Sequence, residues 1–197
     1  MPAFPQLLTP LSDGSIALRP AAERDIPEIL IAYQDDPELH LRMGTPRPPT
    51  AAELGRRAER AEHDRLAGRG VSLTIVEPPQ DICVGQIDVH RVDWENSRAE
   101  LGVWVAAGRR GRGVARRALG LAGPWLLRQA GLERLELLTQ PDNEPLQRSA
   151  RSAGFQLEGV LHGYFRAFEG LPRRLVRGPG ERVDMAVLSL VRRDLRG

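Results

Sequence analysis

Lysine is missing from this chain: its 28 basic side chains other than histidine are all arginine. A phosphate loop of the Gly-x-x-x-x-Gly-Lys-Ser/Thr type is therefore excluded. Arginine is the better side chain for bidentate contact with phosphate or carboxylate. A GC-rich coding sequence also supplies it, and that accounts for most of the arginine surface. Cysteine is nearly missing too. The single Cys83 excludes an intramolecular disulfide framework. Its setting, Ile82-Cys83-Val84, reads as a buried strand with a core thiol rather than a nucleophile. No apolar run approaches the ~18 residues of a membrane span. The first residues lack the basic and apolar regions of a signal peptide. A cytoplasmic protein without a membrane partner is expected. Tyrosine is scarce, with Tyr33 and Tyr164 alone, so few phenols are on offer for acid catalysis.

What is present suffices for one domain. The chain has 197 residues, 41% of them hydrophobic, and a net charge of only +2. It is organised around residues 98–118. A β-type run, Ala99 to Val105, carries Leu101, Val103, Trp104 and Val105. The turn Arg110-Gly111-Arg112-Gly113-Val114-Ala115 follows. A helical run from Ala115 to Gln129 places Leu119, Ala122, Leu126 and Leu127 at helix-like spacing. A strand, a glycine-rich turn and a helix N-terminus together make an anion site, because free N–H groups and the positive end of the helix dipole converge there. Gly111 and Gly113 leave room for a phosphate to approach the backbone. A dinucleotide fingerprint requires Gly-x-Gly-x-x-Gly. Gly111, Gly113 and Arg116 give Gly-x-Gly-x-x-Arg, so that reading fails.

The remaining pattern, Arg110-x-x-Gly113-x-Ala115, resembles the pyrophosphate-binding turn of the GNAT N-acetyltransferases. An arginine-rich surface turn that merely caps a helix is the plainer alternative, and the flanking strand and helix favour the functional one.

The rest of the chain reads in order. Residues 1–14, with Pro2, Pro5, Pro10 and Gly14, form a flexible leader, and residues 15–197 form a single domain. Ser15 to Arg19 suggests a first strand. Asp25 caps a helix from Ile26 to about Gln34. The chain breaks at Asp36-Pro37 and at Pro46 to Pro49. Thr50-Ala-Ala-Glu53 is a capping box that starts a helix from Ala51 to about Ala67. Its face is charged with both signs, whereas a nucleic-acid helix would show a cleaner positive stripe, so no nucleic-acid partner is expected. Val71 to Val76 and Ile82 to Val92 form an antiparallel hairpin around Glu77-Pro-Pro-Gln-Asp81. Gly131 ends the central helix. Leu135 to Thr139 is a short buried strand, and Pro141 to Pro145 opens a helix that ends at Gly154. Strand patterns fall within Phe155 to Phe168 and at Arg182 to Val191. The order is β-α-α-β-β-β-α-β-α-β-β, an α/β fold with a single mixed, mostly antiparallel sheet of about seven strands and helices on both faces.

That order is similar to the GNAT fold over roughly residues 15–192. Asp142-Asn143, the helix to Ala153-Gly154-Phe155, Glu158-Gly159, the strand Glu100 to Val105 and Asp184 resemble segments of the Rim-type N-terminal acetyltransferases. The resemblance implies acetyl-CoA as cosubstrate and no metal. It implies that pantetheine pairs with an opened strand edge at Trp104 and Val105. It places the pyrophosphate on N–H groups from Arg110 through Gly111, Arg112, Gly113 and Val114 to Ala115, and sets Asn143 and Arg148 on the cofactor side. It implies a backbone N–H of a bulged strand as a minimal oxyanion hole, and direct attack by the amine. In agreement, no Ser, Cys or His lies in a nucleophile motif.

An attacking amine must first lose a proton. Glu100 resembles the family's base, and a surface Glu paired with Arg98 or another Arg is the plainer alternative. His90 and His162 are rival bases with intrinsic pKa values of ~6.5. At the general acid the sequence departs from the pattern: Leu146 and Ala150 stand where relatives carry Ser and Tyr, and Ser149 is a partial substitute. A thiol of pKa ~8.5 is a fair leaving group without an acid. The acceptor reads as a protein or peptide α-amine. A small amine such as an aminoglycoside or polyamine is the alternative within the fold, and a non-catalytic acyl-CoA-binding or RNA-associated module the alternative outside catalysis. The loop Glu169 to Glu181, with Arg173, Arg174 and Arg177, is expected to receive acidic residues of a peptide. A homodimer and a monomer are both compatible with the sequence.

Overall fold

A computed structural model describes residues 2–167, 171 and 182–195. One sheet of eight strands runs in the order β1-β2-β3-β4-β5-β6-β8-β7. The strands are β1 (Leu11–Ser12), β2 (Ala17–Pro20), β3 (Val71–Glu77), β4 (Ile82–Asp93), β5 (Arg98–Val105), β6 (Arg134–Thr139), β7 (Gln156–Arg166) and β8 (Arg182–Val191). The helices are α1 (Ile26–Asp35), α2 (Leu39–Arg42), α3 (Ala51–Leu66), α4 (Val114–Arg128) and α5 (Glu144–Ser152). Neighbouring strands are antiparallel except β5 and β6, which are parallel because α4 crosses over between them. The expected α/β mixed sheet is borne out.

Two details differ from the expected order. The sheet has an eighth strand, because Leu11–Ser12 pairs with Ala17 and Leu18. It lies in the stretch read as a flexible leader, and that stretch is fastened. Phe4 is fully buried, its ring 5.3 Å from that of Trp94. The Phe4 N–H donates to the Arg65 carbonyl at 3.0 Å, and the Arg65 guanidinium donates to the Phe4 carbonyl. A lone aromatic among prolines has no periodicity to betray it. The second difference is α2, which occupies the segment read as a break. Four residues are too few to display a helical period, yet Leu39 and Leu41 are buried.

Alternation along β5 sorts its side chains between the two faces of the sheet. Ala99, Leu101, Val103 and Val105 enter a large core with Ala118, Leu119, Ala122 and Leu126 of α4. Trp104 turns to the other face, where it packs with Ile29 and Ala32 of α1, Leu54 of α3 and Cys83. Burial there pushes the Cys83 thiol up to about 12, as befits a core thiol. The capping box at α3 is present: Glu53 N–H donates to Thr50 Oγ1, and Thr50 N–H donates to Glu53 Oε2.

Asp25 does not cap α1, whose N-terminus has no side-chain cap bond. Its carboxylate instead sits buried against β2 and β3. Arg19 donates to both of its oxygens, at 2.6 and 3.0 Å, and the Thr74 hydroxyl donates at 2.7 Å. Arg19 is 7% exposed and Asp25 2%. Burial alone would raise the Asp25 pKa. The Arg19 and Thr74 hydrogen bonds outweigh it, so the carboxyl titrates below its usual range. The ion pair ties β2, the start of α1 and β3 together. Asp25→Asn leaves the buried guanidinium with the more exposed Asp81 as its one carboxylate partner among the described residues. It is expected to cost about 3 kcal/mol at neutral pH. Because the folded pKa is lowered, this contribution exists above the unfolded value of ~3.9 and fades as pH falls through the folded value. Urea unfolding of both proteins at pH 7 and pH 3 tests this: the gap should shrink in acid, and an equal gap at both would refute the ion-pair account.

Candidate active site

The turn between β5 and α4 is built by two glycines in the left-handed region, Gly111 at φ 75° and Gly113 at φ 77°. Gly113 is the N-cap of α4 and has no side chain to cap it. The first bond closing the helix is Arg117 N–H to Gly113 carbonyl at 3.1 Å. The N–H groups of Val114, Ala115 and Arg116 precede it and lie at the positive end of the helix dipole. No heavy atom lies within 4 Å of where a Cβ on Gly111 would stand, so the turn is open to an approaching group.

Arg110 takes a different part from the one expected. Its N–H donates to the Ala107 carbonyl at 3.2 Å. Its Nε donates to the Val105 carbonyl at 3.0 Å and its Nη2 to Asp36 at 2.5 Å. Arg110 therefore braces the turn, and its N–H is not available to a phosphate. Among the described residues no carboxylate pairs with Arg112 or Arg116. Arg116 folds back over the turn, its Nε 3.9 Å from the Cβ position of Gly113. The pattern-based reading omitted Arg116, although its place three residues into the helix start could have singled it out.

Beside this turn the sheet splits. β5 and β6 pair from Arg98↔Arg134 to Leu101↔Leu137 and no further. β5 stays with β4 as far as Gly85↔Val105, while β6 stays with β8 as far as Thr139↔Ala186. A wedge opens after Leu101. Ala106 N–H donates to the Val84 carbonyl at 2.9 Å. Antiparallel alternation then makes Gln86↔Trp104 a hydrogen-bonded pair. The backbone of Val103 and Val105 thus turns to the wedge, and that of Trp104 turns to β4. This corrects the expected edge of Trp104 and Val105. The expected bulge in this strand is also absent: β5 runs from Glu100 to Val105 against β4 without a register shift. The shift lies between His90 and Asp93 of β4, where Arg91 has φ 49°.

Glu100 lies one residue before the pairing with β6 ends, on the Trp104 face. Arg91 Nη1 donates to Glu100 Oε2 at 3.1 Å and to Tyr164 Oη at 3.2 Å. His90 Nε2 stands 3.9 Å from Glu100 Oε1. Glu100 is therefore paired with an arginine, as the plainer alternative allowed; the partner is Arg91, while Arg98 reaches Asp93 and Glu136. A Cβ on Gly102 would stand 3.5 Å from Met43 Cε and 3.6 Å from His90 Nε2. Met43 and α2 thus border the same spot. His162 is elsewhere: it is highly exposed and faces Asp184 at 3.3 Å, and Asp184 also accepts the Gly163 N–H at 2.7 Å.

A second carboxylate on this face escaped the sequence reading. Asp88 shares the alternating face of β4 with Gln86 and His90, and lies opposite Gly102. Ser72 Oγ donates to it. Burial pushes its carboxyl above the usual range. Period-two alternation could have placed it there.

The residues expected on α5 are engaged locally. Asn143 Oδ1 accepts the Leu146 N–H at 3.4 Å, and Asn143 Nδ2 donates to Thr139 at 2.9 Å, so Asn143 caps the helix at the end of β6. Arg148 pairs with Glu144, and Ser149 Oγ donates to the Pro145 carbonyl at 2.9 Å. Leu146 and Ala150 pack against the large core. Among the described residues no group of three or more His, Cys, Asp or Glu could hold a metal, and no helix is long and apolar enough to cross a membrane. The loop with Arg173, Arg174 and Arg177 lies outside the described residues.

A split parallel pair beside a glycine-rich helix start sets an unpaired strand edge next to an anion-binding type of helix terminus. Comparison with known proteins gives the chain a family. Residues 15–156 match the acetyltransferase (GNAT) domain, and the chain belongs to that family. It is an acetyl-CoA-dependent N-acetyltransferase by that membership. The N-acetyltransferase p20 of Bacillus licheniformis, itself uncharacterized, is 27% identical over 171 residues, which cover 86% of this chain and 89% of p20. Among solved structures, Mycobacterium smegmatis RimJ in complex with CoA-disulfide superposes with TM-score 0.77 at 22% identity, covering 96% of this chain and 88% of RimJ. The ribosomal-protein-S5-alanine acetyltransferase of Vibrio fischeri gives TM-score 0.77 at 16% identity, covering 96% of this chain and all of the other (100%).

Two measurements probe this site. Gly113→Val puts a branched side chain at a left-handed position and blocks approach to the turn. Acetyl-CoA affinity by calorimetry should fall by more than the ~1.4 kcal/mol that marks tenfold, with the fold verified by circular dichroism. Wild-type affinity in the folded variant would show that the turn does not hold the cosubstrate. Asp88→Asn concerns stability. The raised folded pKa means that wild type loses stability as pH rises from ~4 through the folded value. The amide can still accept from Ser72, so the variant should melt higher than wild type at pH 7 and equally at pH 3. A lower melting point at pH 7 would contradict the burial account.

Proposed function

We propose that the chain acetylates the α-amine of a protein or peptide, with Glu100 as the base. The observation that carries the reading is the place of Glu100: one residue before β5 and β6 part, on the face bordered by α2, beside His90 and Arg91. The acetyl-CoA side would use the N–H groups from Gly111 to Ala115, Arg112 and Arg116, and the backbone of Val103 with the N–H of Val105 for its pantetheine. An incoming ammonium gives one proton to a Glu100 oxygen, and the neutral amine attacks the thioester carbonyl. The C–S bond breaks, and the second N–H proton ends on the departing thiolate. Ser149 has no part in this scheme, since its hydroxyl is bonded within α5. The peptide acceptor is supported by fold likeness to enzymes described as RimJ and as an S5-alanine acetyltransferase.

Glu100→Gln keeps the shape and removes proton acceptance. It should lower kcat by ~10²-fold or more near neutral pH, while acetyl-CoA affinity stays as in wild type. Retained kcat, together with loss of activity in His90→Gln, would transfer the role to the histidine. Turnover of polyamines or aminoglycosides with no peptide turned over would replace the acceptor class.

A further inference from the structure

The cation on Glu100 is put there by an irregular backbone. In a regular strand consecutive side chains point to opposite faces. Since His90 shares the Glu100 face, Arg91 in regular pairing would leave it. β4 instead carries one extra residue between His90↔Glu100 and Asp93↔Arg98. Arg91 takes φ 49° within that bulge, a conformation that residues with a Cβ seldom adopt. Bulges commonly re-aim a side chain beside a site. Here the outcome is Nη1 placed 3.1 Å from Glu100 and 3.2 Å from Tyr164 Oη. β7 is irregular in step: its register against β8 shifts between Leu161 and Phe165, the stretch that delivers Tyr164. Two irregular strands thus meet on one guanidinium.

In the resting protein the Arg91 guanidinium holds one oxygen of Glu100, Oε2. The Arg91 side chain is 64% exposed and the Glu100 side chain 16%. The arginine lies on the solvent side of the pair, where an arriving acceptor meets it first. Among the described residues Glu100 is the only carboxylate that Arg91 contacts. Other arginines nearby have their own acids, Arg98 with Asp93 and Arg134 with Glu158.

We infer that Arg91 selects the acceptor by exchanging partners: it binds a carboxylate on the residue that follows the reacting amine, while the ammonium takes its place on Glu100. The inference rests on the reading of Glu100 as base. The favoured acceptor is an N-terminus with Asp or Glu in second place, whose two charges oppose those of the Arg91–Glu100 pair. Tyr164 keeps the guanidinium in position during the exchange.

The test uses three short C-terminally amidated peptides that differ only in second position, with Glu, Gln or Arg. Wild type should prefer Glu over Gln in kcat/KM by about tenfold, the size of one charge-assisted hydrogen bond, and added salt should erode the preference. Arg91→Gln should bring the Glu/Gln ratio to about one, and Arg91→Glu should favour the Arg peptide. Tyr164→Phe should reduce the ratio in part. Melting curves and acetyl-CoA affinity of each variant verify the fold. An unchanged ratio in folded Arg91→Gln, or no preference in wild type, overturns the inference. So does a wild type that turns over none of the three. Glu100→Gln separates the two readings. If it is inactive on every peptide while Arg91→Gln keeps the ratio, the base stands and the selector falls. If it is active, the base reading fails instead.

Discussion

Backbone N–H and C=O groups inside a protein have to be paired, and a sheet pairs them by its ladders. The wedge between β5 and β6 breaks that rule at the centre of the molecule. After Leu101 one strand stays with β4 and the other with β8, and the Val103 and Val105 edge faces the gap. The rest of the site depends on this parting. It turns the N–H and carbonyl of Val103 and the N–H of Val105 to the gap, while the Val105 carbonyl is held by Arg110. It also sets Glu100, the last outward side chain before the wedge, next to the opening.

The wedge needs rigid sides, and buried charge helps provide them. Arg19 and Asp25 lock β2, α1 and β3 together. Arg110 fixes the far end of β5 through the Val105 carbonyl and reaches Asp36 at the end of α1. The same guanidinium chemistry therefore serves two ends. Where the arginine is answered by buried carboxylate or carbonyl, it is structural. Where it lies outward with no acid of its own among the described residues, as at Arg112 and Arg116, it is open to a ligand. Arg91 stands between these cases, paired but exposed.

Membership of the GNAT family accounts for the cosubstrate and the reaction. It does not choose the acceptor, because the acceptor meets side chains that differ between chains of one fold. In the reading proposed above those side chains are His90, Arg91, Glu100 and Tyr164, drawn from three strands. Their arrangement puts positive charge outside and negative charge inside.

The sequence by itself determined the elements whose pattern is local. Alternation marked β5 and placed β8 at Arg182–Val191, helical spacing marked α4, and the glycines with Arg110 marked the turn between them. Thr50 and Glu53 announced the start of α3 because a capping box is complete within four residues. The position of Glu100 near the head of β5 was legible in the same run. What depends on distant residues was decided only by the tertiary structure. Asp25 looks like a cap until Arg19 and Thr74 claim it. Phe4 has no neighbours in sequence to reveal that Trp94 awaits it. The role of Arg110 changed for the same reason, since Asp36 lies 74 residues away. The bulge at Arg91 is the extreme case. Nothing in His90-Arg91-Val92 signals a left-handed arginine, because the conformation is imposed by the register of β4 against β5 and sustained by contacts to Glu100 and Tyr164.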